Sequence, residues 1–265
     1  MKTSTLGLLR RYINFRRHCS KRHGFGVHSP YVFDLLTKVI EPDERQNFVF
    51  FGIANYRRML KFHGGIINRE PVNGEPQTPI SVRSLAKQAA VPAHLGRLLY
   101  RLCQHVQPKN VVELGTSLGV STLYLATGAS KGMVHSIEAD SQVLSVTEEG
   151  FKIFKCSNIC IYKGTFAQQL PPLLKRLKQV DMVFVDGHHH GEALLNYLDM
   201  IIPCTTDTSM VIIDDIRWSD DMEEAWRKAC ADERVSISID LFRCGLLLFR
   251  KGIVKQHFNL RYGPY

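Results

Sequence analysis

The sequence predicts a doubly wound α/β fold, and three observations predict it. The first is Val111–Ala126, VVELGTSLGVSTLYLA, in which a short apolar run passes through a glycine-containing turn into an apolar-faced helix. A buried strand feeding a tight turn and then a helix is the nucleotide-type half of such a sheet. The second is the alternation that follows, with short strands at Met133–Ile137, Asn158–Tyr162 and Met182–Val185 and in MVIIDDI, separated by helical patterns. The third is the close of the chain. Strand Val235–Phe242, a turn at Arg243-Cys244-Gly245 and strand Leu246–Arg250 make two final strands joined by a tight turn.

At 265 residues and 45% apolar content the chain suits one α/β domain plus an accessory segment, with enough apolar surface for a full core. The net charge of +9 is unevenly spread: residues 1–33 carry seven Lys or Arg and no acid, and the remainder is nearly balanced. That is a basic N-terminal arm and not a basic face, which makes nucleic acid the weaker partner. Seven cysteines without CxxC spacing read as reduced structural thiols of a cytoplasmic protein. No stretch approaches transmembrane length, and the acid-free, Arg-rich start leaves an organelle transit peptide open.

Along the N-terminal third, Leu6, Leu9 and Ile13 with Arg10 and Arg17 predict a basic amphipathic helix packed on its own domain. Ser29 as N-cap and Pro30 as first residue predict a helix to about Val39. Another is expected over Glu44–Phe62, ending at Gly64-Gly65, followed by a loop or linker over 66–80. Two helical pieces flank Pro92; the second carries the stripe Leu95, Leu98, Leu99 and Leu102. Farther on, helices are expected at Ser141–Phe154, from Pro171-Pro172, at Ala193–Ile201 and at Asp220–Ala231.

Chemistry-bearing residues fall at the ends of the strands. Gly115 permits the turn and Gly119 a close approach to the first helical turn, while Thr116, Ser117 and Ser121 bring hydroxyls to a helix N-terminus that suits an anion. This is not the three-glycine dinucleotide fingerprint, and Glu113, two residues before the turn, suits a zwitterionic ligand better than a pyrophosphate. Glu138 closes the second strand, where an acid can hold a ribose diol; Asp140 reads as a surface acid. Asp186, Asp214 and Asp215 end two later strands, ~4.8 Å apart if adjacent. Three carboxylates that close need a proton or cation among them, and oxygen ligands point to a hard divalent ion.

The turn Glu113-x-Gly115-Thr116-x-x-Gly119-x-Ser121 resembles motif I of the class I S-adenosylmethionine-dependent methyltransferases. The segment Asp186-Gly187-x-His189-x-x-Glu192 is similar to the D-G-x-H-x-Y-E segment of a broad branch of that family, with Gly191 where Tyr is usual. The resemblance covers about Ser81–Gly252. It implies a Rossmann-like seven-stranded sheet of order 3-2-1-4-5-7-6 with an N-terminal helical cap. It divides the chain into a basic arm and cap region (1–80), a methyltransferase domain (81–252, with cap helices over 81–107) and a tail (253–265).

It further implies S-adenosylmethionine held by Glu113, Gly115, Thr116, Ser117, Gly119, Ser121, Glu138, Gly164, Thr165 and Asp186. By likeness to the catechol-type enzymes, Asp186, Asp214 and Asp215 would hold Mg2+ or another hard cation, with Asp215 where those enzymes have Asn. Asp186 and His189 are the catalytic candidates, the imidazole serving as base for an acceptor hydroxyl. Trp218 and Arg217 are candidate walls of the acceptor pocket.

The expected activity is O-methylation of a small molecule or sugar, by a protein whose oligomeric state, a homodimer included, stays open. Two alternatives remain: a nicotinamide-dependent oxidoreductase, and a non-catalytic methyltransferase-like partner protein.

Overall fold

The computed structural model describes residues 3–20, 26–41, 47–71 and 76–263. The chain forms two compact units, one of Asp43–Arg176 and the other of Met1–Pro42 with Leu177–Tyr265. Among the described residues no helix is long and apolar enough to cross a membrane.

The Asp43–Arg176 unit holds helix α3 (Phe48–Phe62), the short strands β1 (Ile66–Ile67) and β2 (Ile80–Ser81), and helices α4 (Val82–Gln88) and α5 (Ala93–Val106). Strand β3 (Asn110–Leu114), helix α6 (Val120–Gly128), β4 (Met133–Glu138), α7 (Ser141–Phe154), β5 (Ile159–Lys163) and most of α8 (Phe166–Leu177) follow. The strands lie in the order β5-β4-β3, all parallel, which is the expected 3-2-1. Leu95, Leu98, Leu99 and Leu102 of α5 are fully buried, as their helical spacing requires of a core face. Helix α3 is fixed by Tyr56, whose hydroxyl donates to the Leu118 carbonyl at 3.0 Å and whose ring fills the space left by Gly150.

Several expectations need correction. Helix α3 begins at Phe48 because Asn47 caps it, its side chain accepting from Val49 N at 2.9 Å; positions 44–46 lie outside the described residues. The expected linker over 66–80 contains the antiparallel pair β1–β2, and its positions 72–75 are likewise outside. Helix α8 begins at Phe166 and encloses Pro171 and Pro172 instead of starting there. Thr165 and Gln168 explain this by a reciprocal capping box: Gln168 N donates to Thr165 Oγ1 at 3.3 Å and Thr165 N to Gln168 Oε1 at 3.1 Å.

The other unit contains α1 (Thr5–His18), α2 (Pro30–Leu35) with a π-helical turn at Leu36–Ile40, β6 (Met182–Val185), α9 (Gly191–Ile201), β7 (Met210–Ile213), α10 (Asp220–Ala231), β8 (Ile237–Asp240), β9 (Gly245–Leu248) and β10 (Gln256–Asn259). Its strand order is β6-β7-β9-β8-β10. Strands β6 and β7 are parallel, and β9 is antiparallel to both β7 and β8, the expected 4-5-7-6. The expectation of seven strands falls short by one. Gln256–Asn259, read as tail, pairs in parallel with β8 at the sheet edge.

Helix α1 does pack on its own unit, but with a different face from the one its leucines suggest. Leu6, Leu9 and Ile13 are exposed, and Phe15 is the buried residue. Tyr12 and Phe15 lie on the Phe242 ring with centroids 4.9 and 5.4 Å away, and Arg11 pairs with Asp220 and Glu223. Aromatic contacts and ion pairs orient this helix where aliphatic periodicity alone would have turned it over.

Candidate functional site

Two constellations gather the candidate residues, one in each unit. In the Asp43–Arg176 unit the parallel pairing of β3 with β4 sets Leu114 opposite Ile137, so the glycine turn and Glu138 emerge at the same end. Gly115 takes φ 107° and its N–H donates to the Ile137 carbonyl at 3.1 Å. Ser117 holds a left-handed φ of 46°, which aims its N–H at Glu138 Oε2, 2.9 Å away. The other Glu138 oxygen accepts from Asp140 N at 3.0 Å. Each carboxylate oxygen has a second lone pair, so the acid keeps capacity for a diol.

Behind the turn lies a buried hydroxyl network. Glu113 is fully buried and its Oε2 accepts from Thr122 and Ser136, each at 2.6 Å. Thr116 Oγ1 stands 2.6 Å from Ser136 Oγ and extends the chain by one hydroxyl. Burial pushes the Glu113 carboxyl up to about 7, against the hydrogen bonds of Ser121, Ser136 and Thr122, with the Glu138 charge adding to the rise. The hydroxyls of Thr116 and Ser121 are therefore turned toward this acid.

The sign of the resulting pH dependence is fixed. Between the ordinary value near 4.5 and about 7 the unfolded chain has released the Glu113 proton while the folded chain keeps it. Stability from this group is full below that window, falls as pH rises through it, and levels off above. Glu113→Gln keeps an oxygen for Thr122 and Ser136 and should flatten this slope. Urea midpoints of the two proteins at pH 5 and pH 8 measure it; parallel slopes would discard the assignment.

Gly119 caps α6 with φ 72°. A Cβ there would meet Thr147 at 2.6 Å and Phe151 at 2.7 Å, so the close approach it permits is that of helix α7, not of a ligand. Asp140, expected at the surface, is fully buried: its Oδ1 caps α7 through Gln142 N and Val143 N, and Oδ2 pairs with Arg69 at 3.2 Å. The neighbouring Glu70 bonds Ser141, and that hydrogen bond holds its carboxyl below the usual range. Sequence reasoning misses Arg69 and Glu70 because they sit in a stretch whose Gly, Pro and Asn content reads only as loop. Gly164 has φ 142°, and Thr165 is occupied as the α8 cap.

The second constellation is formed by the loops after β6 and β7. The three histidines diverge: His188 Nδ1 lies 2.8 Å from the Tyr197 hydroxyl, His190 approaches Asp221 at 4.0 Å, and His189 approaches Asp215 at 3.8 Å. The His189 ring also lies on Trp218, centroids 4.9 Å apart. At Gly191 a Cβ would stand 2.5 Å from the Asp221 backbone oxygen, so a Tyr has no room where the family segment usually has one. His188 and Asp215 hold left-handed φ values of 54° and 50°, a strain that concentrates at functional loops.

The aspartates are met by a guanidinium. Arg243 donates Nε and Nη2 to Asp214 at 2.9 and 2.7 Å, and Nη2 stands 3.2 Å from Asp215. Burial opposes charge on Arg243, but Asp214, then Asp215 and Asp186, outweigh it and hold the group firmly protonated. Among the described residues no group of three or more His, Cys, Asp or Glu is placed to hold a metal ion. Of the expected ligand set of Asp186, Asp214 and Asp215, both Asp214 oxygens carry Arg243, so a fixed positive charge already faces these acids. Sequence reasoning missed this arginine; the antiparallel register of β9 on β7, Ile213 to Gly245, brings Arg243 level with Asp215.

A cavity of about 250 Å³ is lined by Thr3, Leu8, Asp215, Arg217, Trp218, Phe242 and Arg243. Arg217, a candidate wall residue, is held by Asp240 through two bonds of 2.9 and 2.7 Å.

A doubly wound sheet with an acid-flanked glycine turn, a second-strand acid and a closing antiparallel hairpin defines the class I methyltransferase fold. Residues 112–216 match the model of a family described as a methyltransferase domain. A catechol O-methyltransferase from Niastella koreensis is 32% identical over 115 residues, which cover 40% of this chain and 52% of that protein. The chain thus matches about half the length of this curated relative. The O-methyltransferase TomG from Streptomyces achromogenes, solved with SAM, superposes with a TM-score of 0.55 at 18% identity, over 83% of this chain and 95% of that one. An O-methyltransferase from Bacillus cereus, solved with SAH, gives 0.55 at 16% identity, over 82% and 95%. At such identities the structural likeness speaks for the fold. Together with the methyltransferase domain matched over residues 112–216, it speaks for a methyltransferase-like fold.

Proposed function

We propose that this protein transfers a methyl group from S-adenosylmethionine to a hydroxyl of a small aromatic acceptor. The observation that carries the reading is the pairing of β3 with β4, which sets the Gly115 turn beside Glu138, a half-buried carboxylate held by Ser117 N and Asp140 N. In this reading Glu138 receives the ribose diol, and the turns at Gly115, Ser117, Gly164 and Thr165 flank the rest of the cofactor. Glu113, Thr116, Gly119 and Ser121 hold the turn from behind; Asp186, also expected at the cofactor, belongs to the other unit.

Bound cofactor supplies a sulfonium-activated methyl, and the chain's task is alignment and removal of one proton. The acceptor oxygen forms the new bond to the methyl carbon as the carbon–sulfur bond breaks. His189 takes the hydroxyl proton, and Asp215, 3.8 Å from its Nε2, stabilises the imidazolium. Trp218 and Phe242 suit a flat ring in a cavity at the small end of ligand sites. The catechol O-methyltransferase relative supports an aromatic hydroxyl over a sugar.

Calorimetric titration with S-adenosylhomocysteine and with NADH tests the cofactor: binding of the first alone is expected, and binding of NADH alone would return the oxidoreductase reading. Glu138→Ala should weaken S-adenosylhomocysteine about ten- to a hundredfold, the worth of charge-assisted hydrogen bonds of about 1.5–3 kcal/mol. An unchanged affinity would remove Glu138 from the site. Transfer of labelled methyl to a panel of catechols and hydroxybenzoates tests the acceptor class.

A further inference from the structure

The catechol-type enzymes that this sequence resembles gather a hard cation on the acids after these two strands, whereas here the acids carry an arginine. We propose that Arg243 is a built-in replacement for that cation, a positioning residue whose fixed charge lets the site work without a divalent metal. The inference rests on the methyltransferase reading for its purpose, but not for its geometry.

Three features of this chain carry it. Asp214 is wholly buried at the end of β7, and Arg243 engages both of its oxygens, Nε at 2.9 and 3.3 Å and Nη2 at 2.7 Å. A hard ion on one of those oxygens, at about 2.0–2.6 Å, would sit beside a fixed guanidinium of the same sign, which repels it. The same Nη2 reaches Asp215 at 3.2 Å, and Asp186 adds its charge, so one guanidinium faces all three acids expected to bind metal. The third feature is covalent placement. Arg243 begins the turn into β9, whose register against β7 sets Ile213 opposite Gly245. The positive charge is therefore delivered by the sheet itself and cannot dissociate.

Arg243 also lines the cavity with Asp215, Trp218 and Phe242. Its Nε and Nη2 are committed to the aspartates. Nη1 is the donor left to steady an acceptor oxygen, which a bound cation would otherwise do. Asp215 is shared between Arg243 and His189, at 3.2 and 3.8 Å. Holding Asp215 thus also orients the imidazole.

Manganese(II) is the probe, titrated calorimetrically and followed by melting temperature, with neither cofactor nor acceptor present. The parent protein should show no stoichiometric binding, and its melting temperature should not move with manganese or chelator. Arg243→Ala uncovers the acids and should gain one manganese site, with a melting temperature raised by the ion; adding Asp214→Ala should abolish both. Stoichiometric binding by the parent that Asp214→Ala removes would overturn the proposal, as would a folded Arg243→Ala that binds none. If Arg243→Ala does not fold, Arg243→Gln takes its place, with the same gain expected and the same failure fatal. If neither folds, the parent titration alone decides.

In methyl transfer, excess chelator should leave the parent rate within about twofold, and a loss of more than tenfold restored by magnesium would sink the idea. Failure of S-adenosylhomocysteine to bind would instead count against the methyltransferase reading and leave the manganese result standing.

Discussion

Asp240→Ala should destabilise the protein by about 3–5 kcal/mol. Asp240 is buried at the end of β8 and accepts four hydrogen bonds: Arg217 Nη1 at 2.9 Å, Arg217 Nη2 at 2.7 Å, Phe242 N at 2.7 Å and Trp226 Nε1 at 3.3 Å. Its removal strands the Arg217 guanidinium, whose side chain is only 11% exposed and whose remaining acid, Glu223, is 3.8 Å away. An unpaired buried cation costs far more than the pair itself contributes, which is why the effect is large although a net salt-bridge energy would be small.

The consequence reaches the cavity. Arg217 lies over the rings of Phe15 and Phe242 at 5.3 and 4.9 Å, so the pair also seats helix α1 against Phe242. Acceptor turnover should fall with stability, while S-adenosylhomocysteine affinity, which the proposed function assigns mainly to residues of the other unit, should survive in the folded fraction. Urea denaturation of the two proteins measures the first effect; a loss under about 1 kcal/mol would mean that Arg217 finds other partners and that the buried pair does not organise this face.

Gly119→Val is the second, with an expected loss of about 2–5 kcal/mol and no detectable cofactor binding. Two costs combine. A φ of 72° is strained for any residue with a Cβ, by about 1–2 kcal/mol, and more for a branched one. The Cβ would also lie 2.6–2.9 Å from Thr147 and the Phe151 ring, and overpacking of this kind costs about 1–3 kcal/mol. Relief requires α6 and α7 to separate, and that displaces Ser117 N from Glu138 and Thr122 from Glu113. Thermal melting and S-adenosylhomocysteine calorimetry report the two parts. A variant that melts normally and still binds would show that the glycine turn tolerates a side chain and does not shape the site.

The sequence by itself determined the core of this protein. Unbroken apolar runs suffice to name β6 and β7, and shorter ones, interrupted by Glu113 in β3 and by His135 and Ser136 in β4, still stand out against the helical stripes between them. The glycine turn and Glu138 were legible together, since one helix of chain between two parallel strands returns to the same sheet end whatever its side chains do. Strand β10 escaped because an edge strand of QHFN carries neither an apolar run nor alternation. The buried face of α1 escaped because Phe15, Tyr12 and Arg11 find partners that are distant in sequence, which no local pattern records.

The tertiary structure alone decided the states of the acids. Glu113, Asp140 and Asp214 are all carboxylates beside strand ends, identical in kind as sequence. Packing makes the first a buried group among hydroxyls, the second a helix cap paired with Arg69, and the third the partner of Arg243. A carboxylate's charge, partners and availability depend on what the fold brings within about 4 Å of it, and apart from the local cap of Asp140 the residues that do so here lie from 9 to 71 positions away. Sequence spacing can place an acid at a site; only the folded chain determines whether a ligand, a cation or an arginine meets it there.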